Sequence, residues 1–167
     1  MKLRLGRASV LLTGFTIACA SPQPVDGPTS VSGTWKTQSA MPYIIEHSVE
    51  KPHGKNVEHD HIELLERTVD VEWRLEERPD GLVTGTNHWV SFGPNGEEVG
   101  RAIEPLLGVR DRGRLVMEEP ADEAANTPQL VFHATFDGPD QLRVIGYEVG
   151  SKDLMAMRLL LRREASP

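Results

Sequence analysis

The sequence has little cysteine, few aromatic side chains and no long hydrophobic run. Its single cysteine, Cys19, excludes a disulfide scaffold within the chain. The apolar, uncharged stretch Ala8–Ala18 has 11 residues, whereas a membrane-spanning helix needs ~20. A net charge of −7 argues against a nucleic-acid-binding protein, since such proteins carry clustered Lys and Arg. The chain has 167 residues, of which 38% are hydrophobic and 26% are charged. This length and composition are typical of one globular domain.

The N-terminus has the pattern of an export signal. Three basic residues lie within the first seven positions, and no acidic residue precedes Asp26. The stretch Ala8–Ala18 that follows has the length of the hydrophobic region of a signal peptide. We therefore predict that residues 1–18 are a signal peptide and that the mature protein is exported.

The residues that end this signal resemble the lipobox of bacterial lipoproteins, here Thr16-Ile17-Ala18-Cys19. The resemblance implies cleavage before Cys19, acylation of its thiol and amine with fatty acids such as palmitate, and a membrane anchor at the cell envelope. Several acyl chains hold a protein on a membrane far more firmly than one. Thr16 departs from the usual Leu, so the alternative is a plain secretory signal. By resemblance to proteobacterial lipoproteins, Ala20 and Ser21 after the cysteine imply the outer membrane, facing the periplasm, in an organism that has one.

The next segment has the composition of a linker. Residues 20–30, ASPQPVDGPTS, contain three prolines and a single large apolar residue, Val25, so they lack the side chains to form a core. We predict a lipidated cysteine and flexible tether over residues 19–30 and a β domain over residues 31–167.

Alternation of apolar and polar residues dominates this domain, with turn residues at regular intervals. Each strand has one apolar face, and no amphipathic helix separates the strands. An eight-stranded antiparallel up-and-down β-barrel is the expected fold, because closure removes exposed strand edges; the alternative is a β-sandwich. In the fourth strand we expect Val99, Ile103, Leu107 and Val109 to form the apolar face. The predicted strands are Ser32–Gln38, Arg67–Arg78, Leu82–Phe92, Val99–Arg110, Arg114–Glu119, Gln129–Phe136, Gln141–Val149 and Asp153–Arg163.

The start of the first strand, Ser32-Gly33-Thr34-Trp35, resembles the Gly-x-Trp motif of the calycins, the superfamily of lipocalins and avidins. The resemblance implies that Gly33 turns the chain into the barrel and that Trp35 plugs its closed end. It also implies an arginine from the last strand against the tryptophan, with Arg158 and Arg162 as the candidates. The chain lacks the Thr-Asp-Tyr motif and disulfide pair of typical lipocalins, and a buried aromatic of any small β domain would explain Trp35 as well.

Four of the six histidines fall between the first two predicted strands. In an extended chain His59, His61 and Glu63 would share one face, a set that suits zinc or iron, and the order resembles the first motif of the cupins. The second cupin motif lacks its histidine here, so we favour a solvated loop with no metal and expect no cofactor.

No nucleophile elbow or phosphate-binding loop is present, so we do not expect an enzyme. The leading hypothesis is a barrel that binds a small, partly apolar ligand through Trp73, Trp89 and Met157. One alternative is an envelope interaction or inhibitor module with a filled barrel, and another is a metal-dependent cupin-like protein.

Overall fold

The computed structural model describes residues 28, 30–53, 56–121, 129–150 and 154–165, with the side chains of 47–53 and 56–62 excepted. Over these residues the protein is all-β. No helix among them is long and apolar enough to cross a membrane. The strands are β1 Gly33–Thr37, β2 Met41–His53, β3 Asn56–Glu77, β4 Leu82–Phe92, β5 Glu98–Asp111, β6 Arg114–Glu119, β7 Gln129–Phe136, β8 Gln141–Val149 and β9 Met155–Arg163.

Strands β2 to β9 form a closed antiparallel ring. Each pairs with the next along the chain, and β9 pairs back with β2 through Tyr43 and Met157. The additional strand β1 also pairs with β3 and β9, which are the two neighbours of β2. It contacts each of them closer to its C-terminal end than β2 does. This confirms the eight-stranded up-and-down barrel, and closure of the ring excludes the β-sandwich.

The region between the first two predicted strands corrects the sequence analysis. It forms a long hairpin in which β2 pairs with the first part of β3, from His53 opposite Asn56 to Met41 opposite Val69. Proline cannot donate to a ladder, and β2 contains two prolines, Pro42 and Pro52. The ladder between β2 and β9 covers only three residues, so Pro42 and Pro52 each have one neighbouring strand, where proline is tolerated.

The core fills the barrel from its closed end, where the chain enters. Trp35, Trp73 and Phe132 are the largest buried side chains. Trp35 and Phe136 lie 6.3 Å apart by ring centroids, and the Trp73 and Phe132 centroids lie 5.2 Å apart in an edge-on arrangement. Aromatic pairs of this kind stabilise a core beyond their buried area, so the interior is anchored by aromatic contacts despite the low aromatic content.

The inner face of β5 differs from the prediction. Leu106 is fully buried. The other apolar residues on the same face of β5 are small, because side chains of neighbouring strands already occupy the space. A Cβ added at Gly108 would lie 2.4 Å from the Met117 sulfur. The larger apolar residues of this strand therefore lie outside the barrel. They are Val99, Ile103, Leu107 and Val109, between 43% and 65% exposed.

Trp35 closes one end of the barrel. Its Nε1 donates to the Val31 carbonyl at 2.8 Å, and the Arg163 guanidinium lies 4.5 Å from its ring centroid. The predicted partners, Arg158 and Arg162, are exposed, so that assignment was wrong. Because side chains alternate, Arg163 shares the inner face with Leu159 and Leu161, whereas even-numbered positions point outward.

The segment before β1 is tied to this closed end. Glu77 accepts the Val31 backbone N–H at 2.7 Å and an Arg110 guanidinium N–H at 3.0 Å. Arg110 also donates to the Pro28 carbonyl, and Arg163 donates to that of Ser30. The end of the predicted tether is thus part of the barrel. Gly33, at φ of 129°, has the left-handed backbone that the turn into the barrel requires.

Candidate functional site

Three inward-facing side chains lie side by side on neighbouring strands in the middle of the barrel. Trp73 on β3 pairs with Asn87 on β4, and Asn87 pairs with Glu104 on β5. Trp73 and Asn87 are almost fully buried, and Glu104 is half-buried. Period-two alternation places all three on the face that also carries Leu75, Val83 and Leu106. Polar side chains therefore interrupt an otherwise apolar interior.

A fourth side chain, Glu119, joins this row from the last position of β6. Asn87 donates from Nδ2 to Glu119 Oε2 at 2.9 Å. Glu119 is 4% exposed. Burial raises the pKa of its carboxyl to about 7; the hydrogen bond from Asn87 lowers it somewhat, and the negative charge of Glu104 raises it further. We call Trp73, Asn87, Glu104 and Glu119 the inner polar site.

Two buried atoms of this site have no hydrogen-bond partner within the described residues. They are the indole Nε1 of Trp73 and the amide oxygen of Asn87. Leaving a buried donor or acceptor unpaired costs about 1–3 kcal/mol. The inner polar site thus offers one free donor and one free acceptor next to a carboxyl group, in the interior of the barrel.

Apolar side chains surround the site on the side of the open end. Trp89 and Met157 are partly buried and pack on the core there, together with Met41, Ile45 and Met155. Gly146 makes room for its neighbours, since an added Cβ would lie 2.7 Å from the Phe132 ring and 2.9 Å from Met157 Cγ. The three residues predicted to bind a ligand, Trp73, Trp89 and Met157, therefore all line the interior above its floor.

Tyr43 and Ser91 form a second polar pair inside the barrel. Their hydroxyl oxygens are 2.6 Å apart, and both residues are buried. Unlike Trp73 Nε1 and Asn87 Oδ1, these two hydroxyl groups are hydrogen-bonded to each other. They connect β2 to β4 across β3 and hold the wall of the barrel next to Trp89.

A groove of about 590 Å³ lies beside the bend after β1, and Trp89 is among its lining residues. Its lining includes Lys36, Glu72, His88 and Ile103. Three of the polar side chains there have partners: Lys36 Nζ lies 2.8 Å from a Glu72 oxygen, and His88 is 3.1 Å from the Thr86 hydroxyl. A ligand would gain less from these groups than from the unpaired atoms of the inner polar site.

The predicted metal site is only partly described. The side chains of His59 and His61 lie outside the described residues, and Glu63 is exposed. Among the side chains that are described, no group of three His, Cys, Asp or Glu is placed to hold a metal ion. Cys19 also lies outside the described part of the chain, so its acylation stays a prediction.

Sequence reasoning missed Asn87, Glu104 and Glu119, although alternation contained the signal. Glu119 is two positions beyond Met117 on the inner face of β6, and Asn87 lies in phase with Val83 on β4. A polar residue in phase with a buried run marks an inner polar position.

Comparison with known proteins supports the fold and goes no further. No protein-family model matches this chain, and no curated protein matches it. Among solved structures, it is similar to EF1p2_mFAP2b bound to DFHBI, with a TM-score of 0.51 and 11% sequence identity. The match covers 80% of this chain and 93% of that chain. A likeness at this identity shows a common β-barrel fold.

Proposed function

We propose that the protein is a ligand-binding barrel that takes a small, partly apolar molecule into its interior. The observation that carries this proposal is the pair of unpartnered buried atoms, Trp73 Nε1 and Asn87 Oδ1, beside the Glu119 carboxyl. A filled barrel would be more stable with apolar groups at these positions, because unpaired polar groups cost free energy in a core. A bound ligand that pairs with them would remove that cost.

The open end is the proposed entrance. β6 ends at Glu119, and the partly buried Trp89, Met155 and Met157 lie between the inner polar site and that end. Thioether side chains adapt to ligands of different shape. The solved barrel to which this chain is similar was itself bound to a small molecule, DFHBI, which makes the fold suitable for such a role. The proposed role is binding, with no chemical step assigned to Glu119.

Native mass spectrometry of the protein isolated from its own host tests this function. We expect a population heavier than the chain and its modifications by one small molecule, lost in a Trp73→Phe, Asn87→Leu double variant that folds. A matched double variant at outward positions, Glu118→Gln with Arg143→Gln, should keep the added mass. Protein of the chain mass alone, with no binding of an apolar dye such as N-phenyl-1-naphthylamine, would contradict the proposal.

We also propose that the barrel is held at the cell envelope by acylation of Cys19. The lipobox-like Thr16–Cys19 segment and the linker composition of residues 20–30 support this. Metabolic labelling with radioactive palmitate should label the chain, and Cys19→Ala should abolish the label. An unlabelled chain recovered in the soluble fraction would show a plain secretory signal instead.

The outer face of the barrel favours a second function, interaction with another envelope protein. Leu82, Val109 and Val116 are direct neighbours across β4, β5 and β6, and they are 41%, 48% and 37% exposed. Contiguous apolar surface of this kind is frequent at protein interfaces. A photo-crosslinking residue at Val109 should give one discrete adduct in host cells if this is the function, and the same residue at exposed Arg143 should give none.

A further inference from the structure

We infer that the group of the ligand that enters the inner polar site is a protonated amine carried on an apolar body. This inference rests on the proposed function and names the chemical class of its ligand. It follows from the unpaired and negatively charged groups of the inner polar site and from the aromatic rings around them.

Acceptors outnumber donors among the free groups of the inner polar site. The amide oxygen of Asn87 is unpaired, and its nitrogen is already used by Glu119. The carboxylates of Glu104 and Glu119 add further acceptor positions, since an ionised carboxylate has about four. The one free donor is Trp73 Nε1. A ligand group with several N–H donors fits this set, and an ammonium group has three.

The charge of the site points to the same class. Glu104 and Glu119 face one interior, and neither has an ion-pair partner within the described part of the chain. Among the cations on the inner face, Arg110 is bound to Glu77 and Arg163 covers Trp35, both at the closed end. Arg67, which lies opposite Tyr43 and is half-buried, is on the inner face toward the open end. Two neighbouring carboxylates without a counter-ion repel each other. A bound cation removes this repulsion, whereas a carboxylate ligand would increase it.

The surroundings suit an organic cation better than a metal ion. Trp73 and Trp89 flank the site on the inner face, and indole rings attract ammonium groups through their negative π-faces. Met157 and Phe132 provide the apolar contacts for an alkyl or ring portion. Divalent ions usually take more oxygen ligands than two carboxylates and one amide. The ligand class is therefore an amphiphilic amine.

Three probes with one alkyl chain and different head groups test the inference: octylamine, octan-1-ol and octanoate. Binding is measured by isothermal titration calorimetry at pH 8.5 to the full chain carrying Cys19→Ala. An ammonium group makes charge-assisted hydrogen bonds to carboxylates that a hydroxyl group cannot make, so octylamine should bind at least about tenfold more tightly than octan-1-ol. Octanoate should bind most weakly.

Single variants test whether the inner polar site causes the preference for octylamine over octan-1-ol. Glu104→Gln and Glu119→Gln keep the shape of the site and remove one charge each, so each should reduce the preference for octylamine over octan-1-ol to a few-fold or less. Glu118→Gln removes the same charge from the exposed outer face of β6 and should leave the preference unchanged. Circular dichroism establishes that each variant is folded, and the two site variants serve as independent tests of one another.

The outcomes separate this inference from the proposed function. Equal binding of octylamine and octan-1-ol, or tighter binding of octanoate, would refute the amine and leave the ligand-binding barrel intact. Binding of Ca²⁺ or Zn²⁺ that is lost in Glu104→Gln and competes with octylamine would show that the occupant is a metal ion. No binding of any of the three probes, nor of N-phenyl-1-naphthylamine, would overturn the ligand-binding function and the inference together.

Discussion

Replacing Glu119 by Gln should make the ligand-free protein more stable in alkaline solution. The pKa of Glu119 is raised from 4.5 to about 7, first by burial and then by the charge of Glu104, against the opposing hydrogen bond from Asn87. In the unfolded chain the carboxyl returns to its ordinary value. Between pH 4.5 and 7 the folded state therefore holds a proton that the unfolded state has lost.

The sign and size of the effect follow from proton linkage. The contribution of Glu119 to stability is fully present below pH 4.5 and is lost as the pH rises through 7, because folding then requires a buried negative charge. Each pKa unit corresponds to 1.36 kcal/mol, so the loss is about 3 kcal/mol. Glu119→Gln keeps an oxygen that can accept from Asn87 and carries no charge, so it avoids the loss.

Urea unfolding at pH 4 and pH 8.5, on full chains carrying Cys19→Ala, measures this difference. We expect Glu119→Gln to be about 2–3 kcal/mol more stable than its parent at pH 8.5, and equal to it within about 1 kcal/mol at pH 4. By heating, this is a rise of roughly 5–10 °C at pH 8.5. Glu118→Gln, which removes the same charge from the outer face, should show no such pH-dependent gain.

The reasoning would be refuted if Glu119→Gln lost stability equally at both pH values. That result would mean that the carboxylate is stabilised inside the barrel without a ligand, and that its charge does not lower the free energy of unfolding. A gain in Glu118→Gln of the same size would assign the effect to the overall charge of the acidic chain.

Three further substitutions test the packing of the barrel. Arg163→Met should reduce stability in urea by about 1–3 kcal/mol, since it removes the cation over the Trp35 ring, whereas Arg162→Met should change it by less than about 0.5 kcal/mol. Glu77→Gln should destabilise at pH 7 and progressively less as the pH falls below 4.5. Burial raises the pKa of Glu77, but its hydrogen bonds from Val31, Arg110 and Ser30 lower it by more, so its contribution is lost on acidification. Gly146→Ala should cost about 1–3 kcal/mol through its contact with Phe132, and the cost should fall in a Phe132→Leu background.

Much of the fold could be predicted because period-two patterns are strong in this chain. The alternation in Gln129–Phe136 and in Gln141–Val149 coincides with β7 and β8. The pattern failed where both faces of a strand carry apolar residues or where the inner face is small. In β5 the larger side chains lie outside because Trp89 and Met117 occupy the space next to Gly100 and Gly108, and such space is a tertiary property.

The candidate site was predicted only in its apolar part. Trp73, Trp89 and Met157 could be proposed because aromatic and thioether side chains suit a ligand. Asn87 and Glu119 become significant only when the closed ring brings β4 and β6 within hydrogen-bond distance across the interior. The unpaired state of the Trp73 nitrogen likewise depends on what surrounds it in three dimensions, which no local pattern contains.

The indole N–H signals of the three tryptophans in a ¹H–¹⁵N spectrum test the ligand-binding interior most directly. The N–H of Trp35 is bound to the Val31 carbonyl, whereas that of Trp73 has no partner in the described part of the chain. The tightest-binding octyl probe should shift the Trp73 signal, assigned with Trp73→Phe, and leave the Trp35 signal in place. A saturating probe that leaves the Trp73 signal unmoved would contradict binding at the inner polar site.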